Sequence, residues 1–321
     1  MTAPRLPDGR AAPDGGSPHD APASGRRSQR LRHLPVTSDP RTTLRLGDGT
    51  VTFLHEWVPP VGSASRGSVL IVHGLGEHSG RYGHVAERLA ALGLVVRGYD
   101  LRGHGRSGGA RGSIPRSDAL LADLRCVFED LDRRGRASGA GAPPLLLGHS
   151  LGGTLAAVAT AGGWVAPRAL ILSSPALALH GSRPQAAALA LARRLIPDRA
   201  FANRLPVDKL SHAPGEVAAY RADPLVHDRI TPRMYGFLAD AGAAVRRNPA
   251  SLTVPTLLLA AGDDGLVDAR GSRELAAALA RGASEVHIYE GLYHELFNER
   301  EPDRTRVLDD LTAWVEPLLN R

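Results

Sequence analysis

Ser150 stands in Gly148-His149-Ser150-Leu151-Gly152, a G-x-S-x-G string placed directly after the apolar run 144–147 and directly before a helix-forming stretch over 151–161. A serine hydroxyl attacks a carbonyl carbon only when a base takes its proton and a carboxylate orients that base. A sharp strand-to-helix turn pushes the serine oxygen out of the backbone, and glycines on either side leave room for the crowded chain. The chemistry to expect is acyl transfer through a nucleophilic serine, with the start of the following helix directing its dipole at developing negative charge.

That reading dictates where the partners must stand. In the chain order serine, acid, histidine, the acid follows a late strand and the histidine follows the last one. Strand-like residues 256–261 run into Gly262-Asp263-Asp264-Gly265, and 285–289 run into Glu290-Gly291-Leu292-Tyr293-His294. Of 13 histidines, His294 has this address. Asp263 and Asp264 compete for the acid and the residues alone leave both open, with Asp264 preferred; Asp268 is assigned to capping the next helix. Two backbone N–H groups are needed to hold an oxyanion. One is expected from Leu151. The other is expected from Leu75, in the loop His73-Gly74-Leu75-Gly76-Glu77-His78 after a strand over 68–72. His73 is read as holding that loop in shape.

The elements that must position these residues follow from the pattern of apolar runs. Strand-like stretches at 42–46 and 50–58 flank Gly47-Asp48-Gly49, a hairpin signal. Strands at 68–72, 94–99, 144–147, 169–173, 256–261 and 285–289 then alternate with helices at 82–92, 117–133, 151–161, 269–280 and 304–319. Such alternation means βαβ units and a mostly parallel sheet flanked by helices. Residues 174–251 break it. With no clear strand there, this stretch reads as a helical cap inserted between two late core strands, at the edge where ligands bind. The core then comprises 41–173 and 252–321. Within the cap, 184–194 is either plain cap core or a lid helix offering an apolar face to lipid.

Composition narrows the function classes. Residues 1–40 hold 7 Pro and 4 Gly and no Phe, Tyr, Trp or Ile, so a disordered tail is expected there. The net charge is +6, yet aromatics make up only 4% of the chain and the basic residues are scattered, which argues against nucleic-acid binding. One cysteine, Cys126, allows no internal disulfide; it is expected to be a buried structural thiol in the helix over 117–133. No apolar run is long enough to span a membrane and no signal peptide is evident, so a soluble cytoplasmic protein is expected. No cluster has metal-ligand spacing, and no cofactor is expected.

At this point the motifs resemble a known family. His73-Gly-Leu-Gly-Glu-His-Ser-Gly-Arg-Tyr82, Asp100-Leu-Arg-Gly-His-Gly-Arg-Ser-Gly108, Gly148-His-Ser-Leu-Gly-Gly153, Tyr220-Arg-Ala-Asp-Pro-Leu225 and Tyr289-Glu-Gly-Leu-Tyr-His294 are similar to strings in the monoacylglycerol lipases and lysophospholipase-like enzymes. These are serine hydrolases of the α/β-hydrolase fold. The resemblance runs from about residue 50 to the C-terminus. It implies hydrolysis of a monoglyceride to glycerol and fatty acid, with Glu77, Arg81, His149 and Tyr220 at the glycerol end of the pocket. Asp264-Gly-Leu-Val-Asp268 fits the family's acid pattern, which supports Asp264. A second histidine that some members carry after the catalytic one is replaced here by Glu295-Leu296-Phe297. On the residues alone, Glu77 and Arg81 could equally be an exposed surface ion pair. The rival readings are a lysophospholipase or short-chain esterase and, from another class, a non-catalytic binding protein on the same scaffold.

Overall fold

The computed structural model describes residues 43–139, 141–279 and 284–320. The expected tail over 1–40 lies outside the described residues. Strands β1 (Thr43–Arg45) and β2 (Val51–Trp57) form the anticipated hairpin. The alternating part follows: β3 (Gly67–Val72), α1 (Gly83–Ala91), β4 (Leu94–Tyr99), α2 (Ala119–Ala137), β5 (Leu145–His149), α3 (Leu151–Ala161) and β6 (Leu170–Ser173). After an insertion come β9 (Thr256–Ala261), α7 (Arg270–Leu279), β10 (Glu285–Tyr289) and α8 (Asp303–Leu318).

The strands join one eight-stranded sheet in the order β1-β2-β4-β3-β5-β6-β9-β10, parallel from β4 onward. Every residue of β3 and β9 is buried, because helices cover both faces. Side chains alternate across the sheet, so neighbours in sequence enter different cores. Leu70 and Val72 pack with Leu120, Leu124 and Leu155 from α2 and α3, whereas Val69 and Ile71 pack with Leu89 and Leu311 from α1 and α8. From β3 the chain moves outward to β4, then returns past β3 to β5. Such a reversal opens a crevice at the carboxyl ends of the strands, and the loops after β3 and β5 both end there.

The insertion holds α4 (Arg183–Leu195), β7 (Phe201–Ala202), α5 (Pro214–Ala222), β8 (Arg229–Ile230) and α6 (Pro232–Arg247). The expectation of no strand here is corrected: β7 and β8 pair antiparallel, Phe201 with Ile230 and Ala202 with Arg229. Strands of two residues are too short to show alternation. Polar bonds tie the insertion to the core loops. The His227 N–H donates to the Gly76 carbonyl at 2.8 Å and the Thr231 N–H to the Gly112 carbonyl at 2.9 Å. His78 Nε2 donates to Asp223 Oδ2 at 2.8 Å, its Nδ1 being taken by the Gly80 N–H. Gly76 has φ of +81°, and a Cβ there would overlap the His227 carbonyl, so the loop needs glycine at this contact. On α4, Leu191 and Leu195 are 59% and 66% exposed, so the plain-core reading of 184–194 does not hold.

Cys126 is also corrected. It is half-buried, because Leu120, Leu124, Val127 and Leu131 take the inward face of α2 and leave the thiol on its flank. Among the described residues no helix is long and apolar enough to cross a membrane.

Candidate active site

Ser150 occupies the turn between β5 and α3 with φ of 53° and ψ of −117°. A non-glycine residue held there stores about 1–3 kcal/mol of strain. The surroundings enforce it: the Ser150 N–H donates to the Ser173 carbonyl at 3.0 Å, and the Ser150 carbonyl accepts from Thr154 and Ala176 at 3.0 and 3.1 Å. A Cβ at Gly148 would overlap the Gly152 carbonyl, and one at Gly152 would overlap the Val72 and His73 carbonyls. Both glycines of the motif are thus required by close backbone approach, as the sequence implied.

The loops after β9 and β10 bring Asp264 and His294 together. Asp264 Oδ2 accepts from His294 Nδ1 at 2.7 Å, and its Oδ1 accepts from the N–H groups of Leu266 and Val267 at 2.9 and 3.0 Å. Both side chains are almost fully buried. Asp263 points to solvent. The carboxylate holds the His294 proton on Nδ1, which leaves Nε2 as a lone-pair acceptor. Burial opposes charge on His294, but Asp264, Glu295 and Glu77 outweigh it and raise its pKa above the ordinary histidine value. Burial likewise works against the Asp264 carboxylate, yet His294 and the two backbone N–H groups keep its pKa below the usual range. Ser150 and His294 line one cavity of about 410 Å³. Among the described residues no hydrogen bond joins Ser150 Oγ to His294, and such pairs commonly tighten only when substrate docks.

Leu151 is the first residue of α3, where a helix leaves N–H groups without internal partners. Leu75 lies in the facing loop and lines the cavity beside Ser150. His73 holds this loop as expected: its Nε2 accepts from the Leu101 N–H at 2.8 Å, so its Nδ1–H donates to the Gly74 carbonyl at 2.8 Å. Asp100 braces the same loop by accepting from the Ser79 N–H and hydroxyl at 2.8 and 2.6 Å.

Glu77 and Arg81 are not a surface pair. Glu77 is 3% exposed; its Oε1 accepts from the Gly74 N–H at 2.6 Å and the Tyr82 hydroxyl at 2.7 Å, and its Oε2 from Arg81 at 2.7 Å. Burial would raise its pKa, but Arg81 and nearby histidines outweigh that and hold it at about 2. Arg81 also grips Glu295 through two bonds of 2.6 and 2.7 Å and lies 4.9 Å from the centre of the Tyr220 ring. Glu77, His149, Tyr220 and Glu295 line the cavity, and Arg81 gives three N–H bonds to the two carboxylates. The sequence marks Glu295 only as standing where some members of the family carry a histidine. The hint of its role was a carboxylate next to His294 at the head of an apolar run. Burial and the adjacent His294 push the His149 pKa down to about 4, so His149 is neutral near pH 7. The rest of the wall is mainly apolar, including Leu179, Leu205, Leu210, Ile230, Leu238 and Leu266.

Comparison with known proteins agrees with this architecture. Residues 63–301 match the family model described as serine aminopeptidase, S33. The monoacylglycerol lipase of Mycolicibacterium smegmatis is 37% identical over 275 residues, covering 84% of this chain and 94% of that protein. The crystal structure of Paleococcus ferrophilus monoacylglycerol lipase superposes with a TM-score of 0.74 at 30% identity, covering 83% of this chain and 99% of that one. A soluble variant of the Saccharomyces cerevisiae monoglyceride lipase, solved with a substrate analogue, shares the fold with a TM-score of 0.77 at 21% identity, covering 89% of this chain and 99% of that one. With its α/β-hydrolase sheet, this chain belongs to the S33 family of serine hydrolases, in the monoacylglycerol lipase-like group of carboxylester hydrolases.

Proposed function

We propose that the chain hydrolyses monoacylglycerols to fatty acid and glycerol through Ser150, His294 and Asp264. The observation that carries this reading is the buried 2.7 Å Asp264–His294 pair on the same cavity as the strained Ser150. In the first step His294 Nε2 takes the Ser150 proton as Oγ bonds to the ester carbonyl carbon. The Leu75 and Leu151 N–H groups receive the oxyanion. His294 then protonates the glycerol oxygen as the C–O bond breaks. A water deprotonated by His294 attacks the acyl-enzyme, and Ser150 leaves with its proton restored.

The substrate class rests on the relatives' activity and on the division of the cavity into a polar cluster and an apolar wall. We read residues 174–251 as a cap over a core of 41–173 and 252–321. Leu191, Leu195, Ile196 and Phe201 are exposed on this segment, apolar surface suited to transient contact with a lipid surface.

The test is the turnover of 1-monooleoylglycerol by wild type and Ser150→Ala, with p-nitrophenyl butyrate alongside. Removing the nucleophile is expected to lower kcat by about 10⁶. Rapid cleavage of p-nitrophenyl butyrate without cleavage of the monoglyceride would refute the substrate class and spare the triad. Equal rates for wild type and Ser150→Ala would refute the mechanism.

A further inference from the structure

We propose that Glu295 is a specificity-determining residue that makes the polar end of the cavity reject phosphate-bearing headgroups and accept uncharged ones. The inference rests on the ester-hydrolase reading of this cavity.

A lone arginine at the polar end of a lipid site would attract a phosphate, since a guanidinium pairs readily with its oxygens. Arg81 is instead held between two carboxylates. Glu77 takes one of its N–H groups at 2.7 Å, and Glu295 takes two from the other side at 2.6 and 2.7 Å. Tyr220 covers the guanidinium at 4.9 Å. One positive charge against two negative ones leaves the cluster with net charge −1. Glu77 and Glu295 are both part of the cavity wall. Glu295 is itself fixed, with Asn298 Nδ2 donating to its Oε2 at 2.9 Å and only 5% of its surface exposed. His180 and Arg204, also on the cavity wall, are both exposed, where solvent screens them. A glycerol hydroxyl can donate to such carboxylates. A phosphate has no proton to offer them near pH 8 and meets like charge instead.

The magnitude follows from Coulomb's law. Removing one unit charge about 7 Å from a phosphate, at an effective dielectric near 20, changes binding by roughly 50-fold, and by about tenfold after partial screening. Glu295→Gln does this in nearly the same shape: with its amide oxygen at the Oε2 position it keeps the Asn298 contact and one Arg81 bond, gives up the Nη1 bond, and leaves Arg81 one carboxylate.

The experiment compares kcat/KM for 1-monooleoylglycerol and 1-oleoyl lysophosphatidic acid, which share the scissile oleoyl ester, in non-ionic micelles at pH 8. Wild type is expected to favour the neutral lipid by about tenfold or more, and less as salt is raised. Glu295→Gln is expected to narrow this preference about tenfold, through the KM of the phosphate lipid; both lipids present the same ester to the same variant, so any change in the chemical step cancels in the ratio. An unchanged ratio in the variant overturns the inference, as does equal use of both lipids by wild type. If Glu295→Gln cleaves neither lipid, wild type alone decides: a preference that weakens with salt upholds the inference, and one indifferent to salt overturns it. Failure of wild type to cleave monooleoylglycerol while p-nitrophenyl butyrate is cleaved overturns the monoglyceride reading, and the headgroup inference with it.

Discussion

Replacing Asp264 by asparagine isolates the contribution of one proton's position. Asp264 Oδ1 accepts from the Leu266 and Val267 N–H groups, and Oδ2 accepts from His294 Nδ1. In Asp264→Asn the amide oxygen can serve only one of these sides. Facing Leu266 and Val267, it keeps two hydrogen bonds and turns its NH₂ toward His294. The imidazole must then accept at Nδ1 and carry its proton on Nε2, where it cannot act as a base toward Ser150. The flipped amide would restore the tautomer but set its NH₂ against two backbone donors. Leaving two part-buried N–H groups unpaired costs about 1 kcal/mol or more each, so the unproductive orientation prevails. The expected result is a kcat loss of about 10⁴, near 5 kcal/mol of barrier. Stability should fall by about 1.5–3 kcal/mol through loss of the charge-assisted bond. The assay is steady-state p-nitrophenyl butyrate hydrolysis with a thermal melt on the same samples, and Asp263→Asn as the control. A folded Asp264→Asn enzyme within tenfold of wild type, or an Asp263→Asn enzyme that is the more impaired, would refute the assignment.

Three further outcomes follow from the same geometry. His294 must be neutral to act as a base and its pKa is raised, so activity should climb with pH through a value above about 6.5; an acid limb in the kcat/KM profile clearly below that value contradicts the reading. Glu295→Gln removes one of the charges that raise it, so its acid limb should move to lower pH. Gly152→Ala would press a methyl into the Val72 and His73 carbonyls, and a destabilisation of about 3 kcal/mol or more by urea unfolding is expected; a loss under 1 kcal/mol means the turn yields more easily than its packing suggests.

What the sequence determined by itself was everything whose cause is local. The strand-turn-helix around Ser150 is written in an apolar run, two glycines and a helix-forming stretch. Short-range sterics make that turn, so it can be read without knowing what surrounds it. The strands ending at Asp264 and His294 are legible for the same reason: residues buried on both faces read as continuous apolar runs. The tertiary structure decided what depends on groups far apart in the chain. Asp263 and Asp264 are adjacent and chemically identical, and only packing makes one exposed and the other a buried partner of His294, 30 residues away. The Arg81–Glu295 contact spans 214 residues, so no spacing could announce that a cation expected at the substrate was already neutralised. The β7–β8 pair and the exposure of Leu191 and Leu195 belong to the same class. An α4 rich in alanine and leucine is compatible with core or surface, and its position is chosen by what α6 and the loops beneath it have already covered.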